Sequence, residues 1–154
     1  MRKLGILILE DRELLLDQLK WIFEGQGYSV YDCYNIYAAN EKWKENKSQI
    51  DVIITDINMD SRGLSLEEKK ISRNGKFSGW LWVNNHIIIN GFPADKVIIL
   101  SEYNSHLPDY VSSSKNDNHK ANFKIIKENG CLLDKVDPAW AVKKLLDILK
   151  RIGR

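Results

Sequence analysis

Glu10 and Asp11 follow one short apolar run, Asp56 follows another, and Ser101 and Lys135 follow two more. These are the side chains needed to hold a cation and manage a phosphoryl group. Three carboxylates crowded together raise one another's pKa, so such a set makes sense with a cation among them. A donor set made only of oxygen favours Mg²⁺ over zinc. Asp11, Asp56 and an incoming phosphoryl oxygen would supply ligands, and the backbone carbonyl of Asn58 could complete the set. A carboxylate attacking phosphorus also needs its charge neutralised, which Mg²⁺ on one side and the Lys135 ammonium on the other would provide. The Ser101 hydroxyl could donate to a third phosphoryl oxygen.

That chemistry requires the five positions to share one rim. Five runs rich in aliphatic and β-branched residues, at 4–9, 28–33, 52–55, 97–100 and 131–133, read as strands, most of them buried on both faces. Between them lie stretches with helical spacing. The clearest carries Leu15, Leu16, Leu19, Ile22 and Phe23 and ends near Gly25 and Gly27. The last begins with Asp137 as N-cap and Pro138 at the first helical position, with Ala141, Leu145, Ile148 and Ile152 along one face. A βα order repeated five times predicts an α/β fold: a doubly wound, five-stranded parallel sheet flanked by helices on both faces. Ligands in such sheets sit beyond the carboxyl ends of the strands, where the five residues stand.

The 154 residues fit a single domain over 1–154. Two polar stretches, about 60–78 and 107–118, interrupt the rhythm and read as irregular insertions. The 44 % hydrophobic and 29 % charged shares are those of a water-soluble domain. The 23 basic and 21 acidic residues are interspersed, so no basic tract suggests nucleic acid. The first apolar run is too short for a signal or a membrane span, and the two cysteines, Cys33 and Cys131, read as buried reduced thiols; both point to the cytoplasm. No Gly-rich phosphate loop follows the first strand, which argues against ATP or NAD.

In the acidic pair Glu10-Asp11, the strand end leading through Thr55 to Asp56, Ile57, Asn58 and Met59, the strand ending at Ser101, and Lys135, the chain resembles the response regulator receiver family of two-component signalling. The resemblance covers almost the whole chain and implies a flavodoxin-like fold. It further implies that Asp56 accepts a phosphoryl group from a histidine kinase or phosphotransfer protein, with Glu10, Asp11, Asp56 and the Asn58 carbonyl arranging Mg²⁺. Ser101 and Lys135 would then sense the acyl phosphate. Such a domain is no turnover enzyme. With no output domain after Arg154, its signal is expected to pass to a downstream protein by contact.

Several positions depart from the family pattern. Asp60 and Val136 stand where proline is usual, Glu102 where a small residue leaves the pocket open, and the fifth strand lacks the aromatic switch residue, for which Tyr103 is a candidate substitute. The intervals from Asp56 to Ser101 and from Ser101 to Lys135 are longer than usual. These departures motivate an alternative, a pseudo-receiver that is an interaction module and is not phosphorylated. A phosphohydrolase would want a second aspartate two residues past the nucleophile, where this chain has Asn58.

Plainer readings stand beside these. Asp11 could be the N-cap of the first helix. Trp80, Trp82 and His86, with Ile87 and Ile89, read as packing at the start of the third helix, a partner surface being the other option. Trp140 is either a packing anchor or a contact residue. His86, His106 and His119 are too scattered in sequence to suggest zinc.

Overall fold

The strands form where the apolar runs predict them: β1 (Gly5–Leu9), β2 (Ser29–Cys33), β3 (Val52–Thr55), β4 (Val97–Ser101) and β5 (Leu132–Asp134). The computed structural model describes residues 2–135 and 137–154. All pairings are parallel and the strand order is β2-β1-β3-β4-β5. Every residue of β1, β3 and β4 is buried, which is why these runs are continuously apolar rather than alternating. The edge strand β2 buries only Cys33 fully. Winding runs outward from β1 in both directions, so right-handed crossovers put helices on both faces.

Helix α1 (Glu13–Gly25) buries Leu16, Leu19 and Phe23, and α2 (Ile36–Asn46) starts at Asn35, whose side chain accepts the Ala38 N–H at 2.7 Å. Both cysteines are free and buried, and burial pushes the Cys33 thiol up to about 12, so it stays protonated at neutral pH. No described helix is long and apolar enough to cross a membrane.

The two irregular stretches are more ordered than their polar composition predicts. Within 60–78 lies α3 (Leu66–Ile71), opened by a capping box in which Ser65 and Glu68 satisfy each other's backbone N–H groups. Within 107–118 lies α5 (Leu107–Ser112), with Leu107, Tyr110 and Val111 buried at helical spacing. The serines mark only the break before α6 (Asp117–Glu128).

Helix α4 (Ser78–Trp82) continues into a π turn, Val83–Ile87, and a 3₁₀ turn, Ile88–Asn90. Trp80 and Trp82 are at most 1 % exposed, so both pack in the core. The wide turn adds a residue to the helical repeat, which swings Ile89 into solvent while Ile87 stays buried. Helix α7 (Pro138–Ile152) starts as expected at Asp137, whose carboxylate accepts the Ala139 and Trp140 N–H groups. It buries Ala141, Leu145, Ile148 and Leu149, and leaves Trp140 45 % exposed.

Folding brings together two of the histidines that are distant in sequence. Glu68 accepts from Asn85 at 3.0 Å and lies 3.0 Å from His86 Nε2, while His119 Nε2 lies 2.7 Å from Asn85 Oδ1. This is a hydrogen-bonded buttress under α3. Burial alone would raise the Glu68 pKa, but the Ser65 N–H, His86 and Asn85 outweigh it and hold the carboxyl below its ordinary value. Its stabilising contribution is therefore complete above about pH 4.5 and lost as pH falls through the depressed value. Glu68→Ala is expected to cost about 1–3 kcal/mol in urea denaturation at pH 7, through the lost cap and orphaned partners, and to flatten that acid-side slope.

Candidate functional site

Parallel register assembles the rim. Leu9 pairs with Thr55, so Glu10 and Asp56 emerge side by side, fastened by the Asp56 N–H donating to Leu9 O at 3.0 Å and the Glu10 N–H to Cys33 O at 2.9 Å. On the other side Ser101 pairs with Asp134, and Lys135 follows at once.

The Asp56 carboxylate is buried and fully engaged. Its Oδ1 accepts the Ile57 N–H at 2.7 Å and the Asn58 N–H at 3.3 Å, and its Oδ2 accepts from Lys135 Nζ at 2.5 Å. The Lys135 ammonium also contacts Glu10 Oε1, so one buried cation is shared by two buried carboxylates. The Arg12 N–H donates to Glu10 Oε2 at 3.2 Å. Burial pushes the Glu10 carboxyl up to about 7; the Asp56 charge adds to the rise and Lys135 opposes it.

Asp11 is exposed and does not cap the helix: the N-cap of α1 is Arg12, without a side-chain cap bond, which leaves the Asp11 carboxylate uncommitted. Oxygens of Glu10, Asp11 and Asp56 lie within 4.8 Å of one another. An all-carboxylate cluster of this kind, partly buried and opening to solvent, fits a hard divalent cation such as Mg²⁺. Asp11, Asp56 and Asn58 line a cavity of about 230 Å³ together with Arg12, Glu102 and Tyr103. Ser101 is buried behind it on β4, its Oγ accepting the Tyr103 N–H at 3.1 Å.

Two participants, Arg12 and Gly79, were not singled out by the sequence. Arg12 pairs with Glu102 at 2.6 Å, and both line the cavity. The bulky anion in place of a small residue is thus tied off by the residue that follows the acidic pair, and the opposite charges were the available signal. Gly79 is the second. A Cβ there would lie 1.7 Å from the Asp56 carbonyl oxygen, and its N–H donates to Ile57 O at 2.9 Å, so the start of α4 rests directly on the backbone carrying Asp56. Nearby, the Met59 N–H donates to Gly75 O at 3.1 Å, where Gly75 has φ +85°.

Of the family departures, Asp60 begins a tight polar turn, accepting the Arg62 N–H at 2.8 Å and pairing with its guanidinium. β5 carries no aromatic, and Tyr103 lines the cavity with Lys76 5.5 Å from its ring centroid. Val136 lies outside the described residues. Because Arg12 and Glu102 are each about half exposed, their bridge contributes at most about 1 kcal/mol to stability. Glu102→Ala should therefore leave thermal stability nearly unchanged, as read by circular dichroism.

These features define a class: a doubly wound α/β domain with an acidic cluster and a lysine at the carboxyl ends of its central strands. Residues 6–72 match the family model of the response regulator receiver domain, a span that contains Glu10, Asp11, Asp56 and Asn58. The family read from the sequence is thereby supported. A response regulator receiver domain from Clostridium thermocellum is similar in structure, with a TM-score of 0.60, 20 % identity, and 97 % of this chain and 93 % of that one covered. The Vibrio cholerae chemotaxis protein CheY4 gives 0.55 at 19 % identity, covering 97 % and 98 %. The receiver domain of the hybrid histidine kinase CckA gives 0.53 at 20 % identity, covering 97 % and 99 %. At such identities these likenesses establish the fold. No curated protein matches the chain.

Proposed function

We propose that the chain is a cytoplasmic response regulator receiver that accepts a phosphoryl group on Asp56 from the phosphohistidine of a kinase or phosphotransfer protein. The observation that carries this reading is the Asp56 carboxylate itself. It is held at a strand end by backbone N–H groups and Lys135, and it lines a cavity open to solvent. A carboxylate oxygen attacks phosphorus, the phosphorus–nitrogen bond breaks, and an acyl phosphate and a free imidazole result. Glu10, Asp11, Asp56 and the Asn58 carbonyl would hold Mg²⁺, which when bound neutralises charge on the phosphoryl oxygens.

Lys135 already sits against the acceptor and remains to pair with the product. For the three carboxylates to share a cation, it must relinquish Glu10. Ser101 and Lys135 then report the acyl phosphate through new hydrogen bonds that shift the population of conformers, and the domain performs no turnover on another substrate. Beside Lys135, a hollow lined by Leu15, Leu19, Leu100 and Leu145, with Leu14 74 % exposed at its edge, offers the donor protein apolar contact next to the acceptor.

The test is intact-mass measurement after incubation with acetyl phosphate or phosphoramidate and Mg²⁺. A Mg²⁺-dependent gain of one phosphoryl group, absent in Asp56→Asn, is expected. The Arg12–Glu102 bridge at the cavity favours the second reading, a pseudo-receiver that signals by contact alone. That reading predicts no gain in the wild type or in Glu102→Ala, even though both are folded.

A further inference from the structure

A second cavity, of about 1050 Å³, shares no lining residue with the carboxylate cavity and is built largely from the two insertions. Lys70 and Arg73 come from the end of α3 and the turn after it, Trp80 from α4, and Tyr110, Ser113 and Lys115 from α5 and the break before α6. Its lining has three cations, Lys70, Arg73 and Lys115, against one carboxylate, Asp117. Lys70 shares its charge with Glu67 at 3.6 Å, whereas among the described residues neither Arg73 nor Lys115 forms an ion pair.

Arg73 is held in place. It and Asn74 both adopt positive φ, 54° and 59°, a region that side-chain-bearing residues enter rarely and at a cost. Its guanidinium lies 4.9 Å from the Tyr110 ring centroid and 5.6 Å from that of Phe77, while the Tyr110 hydroxyl donates to Ile71 O at 2.5 Å. The guanidinium is thereby positioned before any ligand arrives, with donors left over to grip a carboxylate in two places. The cavity exceeds the usual volume for small ligands, about 300–1,000 Å³, and it is open along the surface. Its size suits an extended chain, and its charge suits an acidic one.

We infer that this cleft binds an acidic peptide segment of a protein partner, presented to Arg73 and Lys115. The surface is separate from Asp56, so binding does not depend on phosphoryl acceptance. The experiment is fluorescence anisotropy of a fluorescein-labelled peptide of alternating Glu and Asp, titrated with the full chain. Saturable binding is expected. It should weaken at least about tenfold in the Arg73→Ala, Lys115→Ala double variant, consistent with loss of a charge-assisted contact, and weaken further with added salt. It should persist in Asp56→Asn.

Arg73 and Lys115 are exposed, so the double variant should stay folded, which circular dichroism verifies. Arg73→Lys, which keeps the charge and loses the fork, should fall between. Absence of binding, or an equal loss in a Lys143→Ala, Lys144→Ala control on α7, would overturn the inference. So would binding of phosphatidylserine vesicles, but not of the peptide, through Arg73 and Lys115.

Discussion

Gly79→Ala is expected to cost more than about 4 kcal/mol, enough to take most of the stability of an ordinary domain. The added Cβ would lie 1.7 Å from the Asp56 carbonyl oxygen and 2.8 Å from its carbon. Neither can be relieved by a rotamer change, since both are backbone. Nor can α4 simply lift away, because the Gly79 N–H is bonded to Ile57 O and the next turn buries Trp80 and Trp82. For a chain of this length, 1 kcal/mol moves the melting temperature about 2–4 °C, so a fall of roughly 10 °C or outright failure to fold is expected by circular dichroism. Gly25→Ala is the matched control. Its Cβ meets nothing within 4 Å at the end of α1, and alanine there should be neutral or stabilising by about 0.5–1 kcal/mol. A melting temperature for Gly79→Ala within a few degrees of wild type would mean that α4 is not seated on the backbone that carries Asp56 as described.

Lys135→Met should separate two consequences of one buried ammonium. Lys135 is the shared partner of Glu10 and Asp56, and removing it strands two buried carboxylates, which should destabilise the protein by about 3–5 kcal/mol without metal. The raised pKa of Glu10, already about 7, tempers this because Glu10 can take up a proton. With its cationic competitor gone, the acidic cluster should bind Mg²⁺ about tenfold or more tightly, measured by calorimetric titration, and added Mg²⁺ should restore part of the lost stability. Phosphoryl gain from acetyl phosphate should nevertheless slow by about a hundredfold or more, the scale for losing one preorganised charge at a transition state. Tighter metal with slower transfer is a combination that a merely unfolded variant would not give. Unchanged transfer would remove Lys135 from the reaction.

The sheet was legible because its strands are short and continuously apolar, and in a parallel sheet that pattern fixes both burial and the rim on which strand ends meet. Glu10, Asp11, Asp56 and Lys135 were therefore findable from order alone, and the structure brings them together. Ser101 was placed on the correct strand, where its Oγ accepts the Tyr103 N–H and its own O–H remains free to donate. What escaped notice is partly local and masked by its neighbours, and partly made by contacts between distant segments. The α3 capping box spans only Ser65 to Glu68 and is outweighed locally by glycine and charge. Helix α5 hides its apolar spacing beside a serine run. The convergence of His86 and His119 is made by the packing of α3 and α6 around Asn85, which no local pattern encodes. The Arg12–Glu102 pair joins residues 90 positions apart, and only the β1–β3–β4 order makes them neighbours.

The hydrogen bond between Met59 and Gly75 has a bearing on how such a protein diversifies. It closes residues 60–74 into an excursion whose two ends meet at one point on the domain, so the chain departs and returns through a single doorway. Changes in length or sequence within the excursion need not shift the strand that carries Asp56. The excursion and the strand that leads to Asp56 are thus segments of one chain that selection can revise one at a time.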